Sequence, residues 1–231
     1  MNRFNVRKVA VLGAGVMGAQ IAAHLVNVKV PVVLFDLPAK EGPKNGIVTK
    51  AIEGLKKLKP SPLGVPEDAV LIEAANYEEH LDKLKECDLI IEAIAERMDW
   101  KLDLYKRIAP AVAPHAIVAS NTSGLSITKL SEALPEEIKP RFCGIHFFNP
   151  PRYMYLVELI NTPATRPEVL DQLEAAQPGF KERLLDGEGQ LRRFVNLYVA
   201  DDDVRFREGM DTAVADGDTV SIIPAVAGGA A

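Results

Sequence analysis

The stretch Val9–Gly18, VAVLGAGVMG, leaves few folds open to this chain. Four apolar residues lead directly into glycines at 13, 15 and 18, and an apolar-striped segment follows. This is the pattern of a buried strand that turns through a glycine loop into a helix. Gly13 permits the tight turn, Gly15 lets the backbone approach a pyrophosphate, and Gly18 lets helix and strand pack closely. Gly13, Ala14, Gly15, Val16, Met17 and Gly18 form the loop and first turn of a helix running to about Val28. Its N-terminal amides would face phosphate. A strand-turn-helix whose glycines serve packing alone is the competing reading, and the next element weighs against it. Val30–Phe35 is almost wholly apolar, as parallel strands buried on both faces are. It is closed by Asp36, placed to accept both ribose hydroxyls and to repel a 2′-phosphate. The expected cofactor is NAD rather than NADP.

Strands and helices alternate after that unit. Expected helices cover Ile47–Lys59, Tyr77–Lys85, Lys101–Ile108 and about Thr128–Leu134. Expected strands cover Val70–Ala74, Asp88–Ala93, Ala116–Ser120, Phe142–His146 and Leu156–Ile160, the last two flanking Asn149-Pro150-Pro151. Such alternation predicts an α/β fold with a doubly wound parallel sheet. Beyond Thr162 the style changes to a helix at Glu168–Ala176, then short strands at Arg193–Val199, Val204–Phe206 and Val220–Ile223, with a turn at Asp201-Asp202-Asp203. That is an α+β pattern. The expected domains are 1–165, Rossmann-like, and 166–231, a separate module.

Composition narrows the partners. No apolar run approaches the roughly 20 residues that span a bilayer. Arg3, Arg7 and Lys8 precede an apolar run, but the glycines interrupt it and no small-residue cleavage site follows, so a cytoplasmic protein is expected. The two cysteines, Cys87 and Cys143, read as buried thiols rather than a disulfide framework. Residues 1–163 carry a net charge of +1 and residues 164–231 one of −6, together the −5 of the chain. The acidic second part argues against nucleic-acid binding. It suits docking onto a basic partner, or is simply a soluble acidic domain. No metal-ligand spacing is present, and His24, His80 and His115 read as surface or structural.

The segments IIEAIAE, SNTSGLSI and GIHFFNPPRYMYLVELINTP carry a specific resemblance. Over about residues 5–173 the chain resembles the NAD-binding domain of 3-hydroxyacyl-CoA dehydrogenase, especially that of the multifunctional fatty-acid oxidation proteins. The resemblance implies NAD-dependent oxidation of (3S)-3-hydroxyacyl-CoA to 3-oxoacyl-CoA in β-oxidation. A homodimer or a multifunctional β-oxidation complex is the implied assembly. Oxidising a secondary alcohol needs a base for the hydroxyl proton and an acceptor for the hydride. His146 is the natural base, because imidazole titrates near working pH. Glu158, spaced as in the family, would take the other ring nitrogen and stabilise the imidazolium. The resemblance places Ser123 and Asn149 at the nicotinamide and the substrate oxygen, and Glu96 and Lys101 near the cofactor. On their own Glu96 and Lys101 would be an ordinary surface pair.

From about Leu173 to Gly229 the chain resembles ubiquitin-like sulfur carriers of the molybdopterin, thiamine and cysteine-biosynthesis type. The segments LEAAQPGFKERLLDGEGQLRRFVNLYVADDDVRF and DGDTVSIIPAVAGG carry that likeness. It implies a partial β-grasp module, a Gly228-Gly229 tail and an adenylating enzyme as partner. Ala230 and Ala231 follow Gly229, so carrier chemistry is expected to require processing. Relative to the two families, the chain is expected to lack the helical domain that follows the NAD domain and the carrier's opening hairpin. The chain reads as a chimera of two truncated parts with a seam around Pro167–Ala176. A sulfur-carrier or protein-modifier role through the Gly228-Gly229 tail, and an NAD-binding module without turnover, are the alternative functions.

Overall fold

The strand β1 (Val9–Leu12) is wholly buried and sits near the middle of a seven-stranded sheet. A computed structural model describes residues 5–154, 156–176, 195–199, 202–203, 207, 212–213 and 220–224. The strands of the large sheet run β3 (Ile72–Asn76), β2 (Val32–Asp36), β1, β4 (Leu89–Glu92), β5 (Ile117–Ser120), β6 (Phe142–Phe147), β7 (Val157–Ile160). Every pair from β3 to β6 is parallel. The strand order reverses between β1 and β4, and open α/β sheets bind ligands in the crevice at such a switch point.

Both faces of the sheet are covered, which is why its strands are apolar throughout rather than alternating. On one face Val9, Val11, Val32 and Leu34 pack under α1 (Val16–Val26), α2 (Gly46–Leu55) and α5 (Pro167–Ala176). On the other, Ala10, Leu12, Val33 and Phe35 pack under α3 (Met98–Ile108) and the short α4 (Ile127–Ser131). Each fully buried Leu or Ile contributes about 1.5–3 kcal/mol, so these two layers fix the frame of the crevice.

Several sequence expectations are corrected. The sheet is not parallel throughout, because β7 pairs antiparallel with β6. Only residues 148–156 join the two strands. A parallel crossover needs about a dozen residues or more, so the chain can only fold straight back. The helix expected at Tyr77–Lys85 is a single 3-10 segment at Leu81–Glu86. The strand expected from Val70 begins at Ile72, after a 3-10 turn at Pro66–Leu71 that leaves Val70 in solvent. Pro66 starts that turn where its missing N–H costs nothing.

The chain divides into units Met1–Ala176 and Gln177–Ala231. The division falls later than residue 165 because α5 packs with the first unit: Val169 and Leu173 are buried in the same core as α1. In the second unit β8 (Val195–Val199), β9 (Asp202–Asp203) and β10 (Val220–Pro224) form an antiparallel sheet in the order β10-β8-β9. Asp202 and Asp203, read from sequence as part of a turn, pair instead with Val199 and Tyr198. The strand expected at Val204–Phe206 and the Gly228-Gly229 tail lie outside the described residues.

Candidate active site

The C-terminal ends of β1, β2, β4, β5 and β6 bring together the residues singled out from sequence. At the end of β1, Gly13 has φ +106°, and a Cβ there would stand 2.7 Å from the carbonyl oxygen of Ala93. Its amide donates to the Phe35 carbonyl at 2.8 Å. The turn is thus pinned to both neighbouring strands, and only glycine fits it. A Cβ at Gly18 would fall 1.8 Å from the Gly13 carbonyl oxygen, whereas one at Gly15 would meet nothing within 4 Å. The open space at Gly15 lies at the N-terminus of α1, which carries no side-chain cap, with Val16 exposed beside it. An uncapped helix start beside a cleft with room for an anion fits a dinucleotide pyrophosphate. Asp36, half-buried at the end of β2, accepts from the Ala14 amide at 2.7 Å and from the Leu37 amide at 2.7 Å.

His146 and Glu158 are directly opposed across the antiparallel β6–β7 pair. Opposed residues project to one face, and Nδ1 of His146 lies 2.6 Å from Oε2 of Glu158. The side chains are 15% and 23% exposed, so the pair is shielded yet reachable. A carboxylate only accepts, so Nδ1 carries the proton, and in the neutral imidazole Nε2 is the nitrogen with the free lone pair. Phe148 packs on the imidazole at 4.6 Å between centroids and helps fix its plane.

Ser123, Glu96 and Lys101 belong to one network at the ends of β4 and β5. Oε1 of Glu96 accepts from the Thr122 hydroxyl, from the Ser123 amide at 3.0 Å and from the Gly124 amide at 2.9 Å. Burial pushes the Glu96 carboxyl up, but the Thr122 hydroxyl, the two amides and the Lys101 charge outweigh it and hold it below its ordinary value. Lys101 is no surface residue: it is 1% exposed, and its ammonium lies 2.6 Å from Oε1 of a fully buried Glu92 and 3.6 Å from Glu96. Glu92 also accepts from the Tyr105 hydroxyl at 2.8 Å, the Ser120 hydroxyl at 2.7 Å and the Ile94 amide at 2.8 Å. A buried carboxylate so fully satisfied is a fixed strut. Lys101 therefore ties α3 to the end of β4 through Glu92.

The sequence reading missed Gln20, Glu92, Asn121 and Thr122. Asn121 ties the β5 loop to β6 by accepting from the Phe147 amide at 2.9 Å, and Asn149 accepts from Gln20 at 3.1 Å. Glu92 could have been found, since an acid inside the apolar run DLIIEA needs a buried partner. The remaining histidines have local surroundings. Nδ1 of His80 accepts from the Asn76 amide at 3.2 Å, and Nε2 of His115 lies 3.1 Å from Asp88. Burial, with the Arg152 charge, pushes the pKa of His24 down. Burial pushes both thiols, Cys87 and Cys143, up to about 12, so neither is a ready nucleophile.

The family described as 3-hydroxyacyl-CoA dehydrogenase, NAD binding domain, matches residues 8–181. The chain belongs to that family. A Rickettsia felis protein named for the trifunctional enzyme of the fatty acid oxidation complex is 46% identical over 169 residues, which are 73% of this chain and 24% of that protein. A Deinococcus radiodurans protein named as a 3-hydroxyacyl-CoA dehydrogenase is 43% identical over 166 residues, 71% of this chain and 48% of that protein. The crystal structure of (S)-3-hydroxybutyryl-CoA dehydrogenase PaaH1 from Ralstonia eutropha superposes with a TM-score of 0.62 at 34% identity, over 74% of this chain and 59% of that one. The chain thus spans about a quarter of the length of the first of these curated relatives and about half of the second. The ThiS family matches residues 145–229, overlapping the first match. Within that overlap β7 is a strand of the large sheet, paired with β6.

Proposed function

We propose that this chain binds NAD in the crevice between β1 and β4 and oxidises the 3-hydroxyl of an acyl-CoA to the ketone. The observation that carries this reading is the 2.6 Å contact between His146 and Glu158, which leaves Nε2 as a base at the open end of β6. Nε2 takes the hydroxyl proton as the C–O bond becomes a carbonyl, and the carbon loses its hydrogen as hydride. NAD, when bound, accepts that hydride. Glu158 holds the imidazolium that forms, so the pair acts as the base and orienting carboxylate of a triad that has no nucleophile. Ser123 and Asn149 position the nicotinamide and the substrate oxygen, on loops that Glu96 and Gln20 hold. A homodimer or a multifunctional β-oxidation assembly, and a cytoplasmic location, go with that reading. The test is NADH formation when the purified chain is given NAD and a (3S)-3-hydroxyacyl-CoA. No NADH above a buffer control, despite measurable NAD binding, would reduce the proposal to a binding module without turnover.

The ThiS-family match at residues 145–229 favours a second reading, a sulfur carrier acting through Gly228-Gly229. Incubation of the chain shortened to end at Gly229 with an adenylating enzyme of the sulfur-carrier type, ATP and a sulfur donor checks it, read as a thiocarboxylate mass shift. An unchanged mass removes it.

A further inference from the structure

We infer that Gln20 is a positioning residue that sets which face of the Asn149 amide is turned into the site. The inference rests on the proposed role of Asn149 at the nicotinamide end of the cleft. Gln20 lies in the second turn of α1 and is 8% exposed. Its Nε2 donates to the Val16 carbonyl at 3.3 Å and to Oδ1 of Asn149 at 3.1 Å.

The donor roles follow from chemistry. A backbone carbonyl can only accept, so the Gln20 atom facing Val16 is the amide nitrogen. The second hydrogen on that nitrogen needs an acceptor, so Asn149 must present its oxygen to Gln20. The Asn149 NH2 group is then turned away from α1 and remains a donor. Without Gln20 the two faces of the Asn149 amide would differ little in energy, and the side chain, which is exposed, would sample both. Gln20 thereby couples the helix whose start faces the pyrophosphate to the loop that follows β6. A donor fixed before binding costs no reorganisation when ligand arrives.

The experiment is calorimetric titration of the full chain with NADH and with ADP-ribose, which lacks the nicotinamide. It compares wild type, Gln20→Met, Gln20→Glu, Asn149→Ala and the double variant Gln20→Met/Asn149→Ala. Gln20→Met keeps length and apolar stem but removes both donors. It is expected to weaken NADH about three- to tenfold, the range of one neutral hydrogen bond, and to leave ADP-ribose unchanged. Asn149→Ala should do the same, and the double variant should be no weaker than Asn149→Ala alone, because the two residues act as a unit. Gln20→Glu presents an acceptor, draws the Asn149 NH2 towards α1, and should weaken NADH at least as much as Gln20→Met. Equal weakening of NADH and ADP-ribose by Gln20→Met would show that the side chain serves only α1, and overturns the inference. So does full NADH affinity in both Gln20 variants while Asn149→Ala is weakened. If Asn149→Ala itself binds NADH like wild type, the role given to Asn149 falls first and the inference with it.

Discussion

Asp36 is engaged before any cofactor arrives, since its oxygens already accept from the Ala14 and Leu37 amides at 2.7 Å each. Those amides fix the carboxylate at the mouth of the glycine turn and leave lone pairs for a ribose diol. Asp36→Ala should therefore weaken NAD by about 1–3 kcal/mol and narrow its margin over NADP. Calorimetry with both cofactors checks this, and an unchanged NAD-to-NADP ratio would remove Asp36 from cofactor selection. Glu96 makes a second prediction at this scale. Its folded-state pKa lies below the ordinary glutamate value of 4.5. The unfolded chain thus binds the proton more readily, and the carboxylate contributes stability that is present above 4.5 and lost as pH falls through the folded value. Thermal melts below that point should show wild type losing stability faster with acid than Glu96→Gln. Parallel acid limbs for the two proteins would show that Glu96 does not anchor the Ser123 loop in solution.

The glycine turn and α1 separate fold from binding cleanly. A Cβ at Gly18 would collide with the Gly13 carbonyl oxygen, so Gly18→Ala must shift the backbone and lower the melting temperature. Gly15→Ala meets open space and adopts the same backbone without strain, because φ there is −69°. It should fold as wild type yet lose NAD, since its methyl occupies the approach to the pyrophosphate. Wild-type NAD affinity in Gly15→Ala, measured beside its melting curve, would show that the phosphates lie elsewhere. These elements were legible in the sequence because their signals are local: an apolar run, glycines at set offsets, an acid at a strand end. The direction of β7 was legible as well, though in the short connection from β6 rather than in anything within LVELI. The helical form of 77–86 was not, since apolar spacing there suits an α-helix but only a 3-10 segment forms. His146, Glu158 and Ser123 were reached through motif resemblance. The Lys101–Glu92 pair was not, because residues nine apart on a strand and the following helix meet only once the connection from β4 has turned α3 back along the sheet.

Over the whole molecule, both hydrophobic layers and every candidate site residue lie in the unit Met1–Ala176. A fragment ending at Ala176 should accordingly bind NAD with the affinity of the full chain. Marked weakening in the fragment would mean that residues beyond Ala176 contribute to the site. The proposed chemistry turns on one imidazole, held by Glu158 on β7 near the end of β6. Its most direct test measures turnover and NAD affinity together for His146→Ala and wild type. NADH formation from a 3-hydroxyacyl-CoA should fall by about 10²–10⁴-fold in His146→Ala while NAD affinity is unchanged. Wild-type turnover in His146→Ala would contradict that chemistry.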